Sequence, residues 1–239
     1  MRDKIRIKFE KTGIMKFIGH LDVMRYFQKA MRRAHIDIAY SEGFSPHQKM
    51  SFAAPLGIGL VGTGESFDIE VNSLMSSQAM TDALNEVMVE GFKVVSCRRL
   101  PENVPNAMSS VFAADYVVTL HGDNVKMSPD ELSAKILAFY NQAEIITEKE
   151  TKKSTRTLDL KPLIYSLTSE NGITKMCLST GSVDNIKPEL VMQKFCEFAG
   201  IEYTEDPILF DYERSEVYTN VGTDEIKLVT LEDMGEIIE

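Results

Sequence analysis

The chain has 239 residues, of which 44% are hydrophobic, so it is long enough to build two domains with real cores. It contains no run of about eighteen apolar residues, and no apolar run follows its N-terminal charges. We therefore expect a cytoplasmic protein without a signal peptide or a membrane span. The cysteines, Cys97, Cys177 and Cys196, are far apart, which favours reduced and buried thiols over a disulfide framework.

The net charge of −10 is unevenly distributed along the chain. Residues 1–50 hold 11 basic and 5 acidic residues, whereas residues 200–239 hold 2 basic and 12 acidic residues. A basic front and an acidic end are typical of a protein that binds a polyanion or a charged partner. A solvated acidic tail that only increases solubility would give the same pattern.

The first half alternates between strand and helix patterns. Residues 4–11 alternate between apolar and charged side chains and predict a half-buried strand. Residues 21–34 carry an apolar stripe at helical spacing, which predicts an amphipathic helix. The following segments predict two strands, a helix and a strand, at residues 36–40, 67–71, 76–90 and 92–97.

The second half repeats this order, with a strand at 115–120 and a helix that opens at Ser128 and Pro129. The predicted fold class is therefore α+β, with tandem ferredoxin-like (βαββαβ) units built on antiparallel sheets. Each unit is expected to carry helices on one sheet face and to leave the other face open for a neighbour or a ligand. The predicted boundaries are 1–99 for the first unit, 111–218 for the second and 219–239 for an acidic C-terminal tail.

The strongest electrostatic signal is a strip of cations on the helix at 21–34. Such a strip can neutralise several phosphates of RNA or of another polyanion, although a solvated outer helix face would look the same. The strip consists of Arg25, Lys29, Arg32 and Arg33.

His20 stands at the start of this helix, where a general acid or base is conceivable and a capping or packing role is the simpler alternative. The loop that follows the helix is rich in polar and aromatic side chains, and Gly43 and Pro46 set its turn. We predict that this loop lies beside His20 and forms the functional pocket. The alternative is that its phenylalanine is core and its histidine idle. The candidate binding residues of the loop are Tyr40, Ser41, Phe44, His47 and Lys49.

A second basic cluster lies in the other half, in a Thr- and Ser-rich segment that predicts a flexible loop able to order on a ligand. Its candidate residues are Lys152, Lys153, Arg156, Asp159 and Lys161, and we expect the last two to reach toward the pocket at His20. The glycine run PLGIGLVGTGE matches the spelling of a dinucleotide fingerprint, but a strand pattern follows it where a helix is required. No histidine or cysteine spacing suits a metal, so we predict no cofactor and no metal.

Four segments carry a family resemblance: FIGHLDVMRYFQKAMRRA, IAYSEGFSPHQKMSFAAPLGIG, TKKSTRTLDLKPLI and TGSVDNIKPELV. Together they resemble a bacterial family of unknown function, a domain of the DUF2344 type whose members are called radical-SAM-linked or radical-SAM-associated proteins. The resemblance spans residues 2–200. Two positions depart from the family pattern, which implies altered anion recognition in the second half: Lys161 stands where arginine is expected, and Ile186-Lys187-Pro188 replaces an Arg-Pro-like pair.

The resemblance implies a partner rather than a reaction, because family members are encoded beside, or fused to, a radical S-adenosylmethionine (SAM) protein, often near ribonuclease and ribosomal-protein genes. The chain lacks the CxxxCxxC triplet that holds a radical SAM cluster, so radical chemistry would belong to the partner. We expect a non-catalytic accessory protein that presents a substrate, RNA or a translation component. The alternatives are a metal-independent endoribonuclease that uses His20, similar to CRISPR repeat-processing enzymes, and a pure protein-interaction scaffold.

Overall fold

A computed structural model describes residues 2–121, 125, 127–151, 154–181, 185–204 and 208–239. The chain forms two compact units, one of residues 1–112 with 214–239 and the other of residues 113–213. Both units combine helices with antiparallel strand pairs, which confirms the predicted α+β class.

The first unit begins with the predicted order of elements. They are β1 (Asp3–Lys11), α1 (His20–Arg33), β2 (Met50–Phe52), β3 (Val61–Val71), α2 (Ser77–Asn85) and β4 (Phe92–Arg99). A 3₁₀ helix, Gly13–Phe17, precedes α1, and the short helix α3 (Ala107–Ser110) follows β4. β1 lies between β3 and β4, and β2 pairs with β3, each pair being antiparallel. This is a ferredoxin-like βαββαβ arrangement.

Local sequence explains most of these boundaries. α1 has Asp22 in its first turn and Arg32 and Arg33 in its last turn, as the helix dipole favours. At the start of α2, the Ser76 hydroxyl accepts a hydrogen bond from the Ala79 N–H at 3.2 Å. The predicted strand at 36–40 is wrong: this segment makes only isolated bridges, because a tight turn between Ile36 and Ile38 interrupts it.

An aromatic cluster fills the core between α1 and the sheet. The rings of Phe9 and Phe27 are 4.7 Å apart, and Phe67 lies 4.8 Å from both Phe27 and Phe52. These contacts join the first strand, the first helix and the two strands that follow it. They therefore fix the start of α1 against the sheet, which positions His20.

The second unit contains β5 (Ala113–Leu120), α4 (Pro129–Tyr140), β6 (Ile146–Thr151), β7 (Ser154–Asp159), β8 (Ile164–Glu170), β9 (Ile173–Ser179), α5 (Pro188–Ala199) and the start of β10 (Phe210–Asn220). β9 lies between β5 and β8. β8 and β9 are joined at Asn171 and Gly172, both at positive φ, as a tight hairpin turn requires.

β6 and β7 form a separate hairpin. The prediction of a flexible loop for this segment is therefore wrong for residues 154–159. β-branched threonines recur there at alternate positions, a composition that favours a strand.

The acidic C-terminal residues belong to the first unit, where β11 (Leu228–Thr230) pairs with β10 and a 3₁₀ helix, Glu232–Met234, follows. Leu231 is fully buried, and its carbonyl accepts a hydrogen bond from Arg6 at 3.0 Å. Arg99 and Glu236 exchange backbone hydrogen bonds of 2.9 and 2.8 Å. The C-terminal segment therefore covers the part of the sheet face around Arg6 and Lys8, and the part around Lys4 and Ser51 still lines a pocket.

Candidate nucleic-acid interface

The cations of α1 lie on the exposed side of the helix. The Arg25 guanidinium forms an ion pair with the Asp22 carboxylate at 3.2 Å, whereas Lys29 and Arg32 have no ion-pair or hydrogen-bond partner among the described residues. Arg33 is held differently: its guanidinium donates to the Val87 carbonyl at 3.1 Å and stacks over the Tyr26 ring. The structure therefore leaves Arg25, Lys29 and Arg32 as an exposed basic strip, while Arg33 contacts the protein itself.

The loop at 40–49 is pinned to the middle of α1. The Gln48 side-chain amide donates to the Gln28 carbonyl at 3.1 Å and to the Tyr40 hydroxyl at 3.4 Å. Within the loop, the Ser41 N–H donates to the His47 carbonyl at 2.8 Å, and the His47 N–H donates to the Ser41 hydroxyl at 3.0 Å. Phe44 is fully exposed at the tip, so the alternative that it is core is wrong.

His20 begins α1 and packs edge-on against the Phe52 ring at 5.3 Å. It lines a narrow pocket of about 10 Å³, which is room for about one water molecule, together with Lys11 and Glu65. Burial lowers the pKa of His20, and Arg214 and Lys11 lower it further against the opposing effect of Glu65. The ring is therefore neutral at physiological pH.

A buried ionic network that the sequence did not reveal surrounds this pocket. Arg214 forms two hydrogen bonds with Glu65, at 2.8 and 2.6 Å, and donates to the Ala54 carbonyl at 3.0 Å. Lys11 is buried and donates weakly to backbone carbonyls at 3.3 and 3.4 Å, and burial lowers its pKa. Only one sequence feature pointed to this network: a charged residue, Lys11, ends the otherwise apolar row of Ile5, Ile7 and Phe9.

The predicted shared pocket of His20 and His47 is wrong. His20 lies on the helix-bearing side of the sheet, with Phe52 and Glu65. His47 lines a different pocket with Lys4 and Ser51, which alternate to the opposite face. The loop stays at the sheet edge beside the middle of α1 and does not fold back over the helix start.

Two of the candidate residues of the second unit, Asp159 and Lys161, have structural roles. Asp159 accepts hydrogen bonds from the N–H groups of Ile145 and Lys161, at 2.8 and 3.0 Å. The Lys161 ammonium caps the end of α4 at the Tyr140 carbonyl and lies 3.6 Å from the centre of that tyrosine ring. Arg156 lies in β7, opposite Lys149 of β6 in the strand register. Lys152 and Lys153 lie outside the described residues.

An apolar patch adjoins the start of α1. Its large side chains are 59–77% exposed. Ile14 and Phe17 lie on the same side of the first 3₁₀ helix, because residues three apart share a face in such a helix. The Gly59 N–H donates to the Lys16 carbonyl at 2.8 Å, which holds the loop at 57–60 against this helix. The patch consists of Ile14, Phe17, Leu21 and Ile58.

Within the described part of the chain, no cluster of histidine, cysteine, aspartate and glutamate residues could hold a metal ion. No helix among those residues is both long enough and apolar enough to cross a bilayer.

Residues 4–188 match the family model of DUF2344, described as an uncharacterized protein conserved in bacteria. No curated protein matches the chain. A chain in the crystal structure of a Cbf5-Nop10-Gar1 complex is similar at 12% identity and a TM-score of 0.44, over 89% of this chain and 48% of that one. This chain thus spans about half the length of that chain, and so distant a likeness carries no argument about function.

Proposed function

The chain belongs to DUF2344, a family of uncharacterized bacterial proteins, and we propose that it is a non-catalytic accessory protein that binds RNA for a radical SAM enzyme. The observation that carries the RNA part is the exposed basic strip of Arg25, Lys29 and Arg32. Three cations along one helix face can follow a phosphate backbone.

The loop beside the strip supports this proposal. Tyr40 is 43% exposed next to the middle of α1, and Phe44 projects fully into solvent. Cations contact the phosphates of a single strand, and aromatic rings beside them stack on its unpaired bases. The hydrogen bonds between Ser41 and His47 hold the loop in one conformation, so little entropy is lost when a base stacks on it.

The apolar patch of Ile14, Phe17, Leu21 and Ile58 supports the partner part of the proposal. Monomeric proteins rarely expose several large apolar side chains side by side, and where they do, the patch is often a protein-interaction surface. The patch lies at one end of the basic strip, since Leu21 and Arg25 are one helical turn apart. A partner docked there would be adjacent to RNA bound along α1.

RNA binding is tested with labelled tRNA and single-stranded RNA at several salt concentrations. The variant carries Arg25→Glu, Lys29→Glu and Arg32→Glu, and the matched control carries Lys93→Glu, Lys175→Glu and Lys227→Glu, which change the net charge equally. We expect the strip variant to bind RNA more weakly, and its slope of log K against log salt to become less steep by about 2–3. The control should keep the affinity and the slope of the wild type. Equal binding by the two variants would contradict the proposal.

The second candidate is the metal-independent endoribonuclease, and the specific observation for it is the neutral His20 ring beside the Lys11 ammonium in one pocket. A neutral imidazole could take the proton of a ribose 2′-hydroxyl while the cation stabilised the developing charge. Cleavage of RNA without metal, abolished by His20→Ala, would favour this candidate over the accessory role.

A further inference from the structure

A second polar pocket lies on the sheet face opposite α1. It has a volume of about 300 Å³ and is lined by residues of β1, β2, β3, the loop before β2, and Asn106 at the start of α3. The register places two rows of residues across these strands. One row is Arg6, Asp68 and Ser51, and the other contains Lys4 beside Glu70.

The carboxylates of this pocket are already neutralised. Asp68 accepts two hydrogen bonds from Arg6, at 2.8 and 2.9 Å, and one from the Ala107 N–H at 2.6 Å. Glu70 pairs with Lys49 at 2.6 Å. Lys4 is left as a cation without a partner among the described residues, so the pocket as a whole carries a net positive charge.

Hydrogen-bond donors around the pocket are also unused. Neither the Ser51 hydroxyl nor the Asn106 amide N–H groups have an acceptor among the described residues. His47 has its Nδ1 atom 2.8 Å from the Ser41 hydroxyl, which already accepts from the His47 N–H. That hydroxyl can donate its own hydrogen to Nδ1, and this leaves Nε2 as the N–H donor of the ring.

We infer that this pocket, lined by Lys4, His47, Ser51 and Asn106, binds the phosphate group of a nucleotide. One uncompensated ammonium and three neutral donors suit a phosphate, whose oxygens only accept. The volume exceeds that of a phosphate alone, and the exposed Phe44 ring stands on the same loop as His47, where a base could stack. The cations of this pocket are separate from the basic strip on α1, because the pocket faces the other side of the sheet, and the two surfaces share only the loop at 40–49.

The phosphate could come from a free mononucleotide or from the 5′ end of an RNA, and the experiment distinguishes the two. One arm titrates a nucleoside 5′-monophosphate and the parent nucleoside, and the other titrates a short RNA with a 5′-phosphate and the same RNA with a 5′-hydroxyl. Amide chemical shifts of Ser51 and His47 locate the binding. We expect the phosphorylated member of at least one pair to bind more tightly and to shift these signals.

Lys4→Met should weaken this phosphate-dependent binding at least about tenfold, because it removes the uncompensated cation. Lys93→Met, an exposed lysine of β4, is the matched control and should leave binding unchanged, and melting temperatures establish that both variants are folded. The strip variant of α1 should retain the phosphate preference, so this result is separable from RNA binding along α1. Absence of a phosphate preference in both arms, or equal binding by folded Lys4→Met, would overturn the inference.

Discussion

Burial lowers the pKa of two neighbouring basic side chains, His20 at the start of α1 and Lys11 at the end of β1. His20 and Lys11 share a pocket with Glu65, whose carboxylate is committed to Arg214. The sequence identified His20 because it adjoins an amphipathic helix. It did not identify Glu65 and Arg214 as a pair, because they are 149 residues apart and only the folded chain brings them together.

His20 should titrate below its usual value near 6.5, because burial disfavours its charged form. Because the pKa of His20 is lower in the folded state than in the unfolded state, its contribution to stability is fully present above the unfolded-state pKa. That contribution is lost as the pH falls through the folded-state pKa. The measurement is a histidine NMR titration, with the His20 signal assigned from its absence in His20→Gln. A pKa of 6.5 or higher would contradict the burial seen at this pocket.

The contact of β3 with β10 explains one glycine of the run PLGIGLVGTGE. A Cβ atom at Gly64 would overlap the Ser215 carbonyl oxygen, so the side-chain hydrogen there allows two backbones to approach closely. A Cβ at Gly57 would meet only the Leu60 side chain, at 3.5 Å. Gly64 is thus required by strand packing, and the run leads into β3 where a dinucleotide fingerprint would need a helix.

Gly64→Ala should destabilise the protein by about 1–3 kcal/mol, since a backbone atom has to move to admit the methyl group. Gly57→Ala is the matched control and should change the free energy of unfolding by about 0.5 kcal/mol or less. Denaturant unfolding of both variants measures the difference. Equal stabilities would show that the two strands are not in close contact at this point.

At the scale of the whole chain, the C-terminal residues complete the first unit. Glu232 accepts a hydrogen bond from Ser96 at 2.6 Å and pairs with Lys8 and Arg98, at 3.1 and 3.3 Å. Burial alone would raise the pKa of Glu232, but the hydrogen bonds with Ser96 and Lys8 and the charge of Arg98 lower it overall. Acidic side chains that looked like a solvated tail therefore hold this segment against basic residues of β1 and β4.

Glu232→Gln should lower the free energy of unfolding by about 1–3 kcal/mol at neutral pH, because charge-assisted hydrogen bonds are lost. With a folded pKa below the usual 4.5, the stabilisation is present above the unfolded value and disappears as the pH falls through the folded value. The difference between wild type and variant should therefore vanish in acid. Glu225→Gln, at an exposed position in the turn before β11, is the control and should match wild type at every pH.

The sequence by itself determined the α+β class, the βαββαβ order of the first unit and the exposed cations of α1, because periodicity and capping are local properties that neighbouring residues encode. Tertiary structure alone decided where the polar face of a strand is buried as well and which charges meet. Arg6 and Lys8 alternate as a solvent face would, yet Arg6 is fully buried and Lys8 pairs with Glu216 at 2.5 Å. Contacts between residues more than 200 positions apart carry no local pattern, so only the folded chain could reveal them.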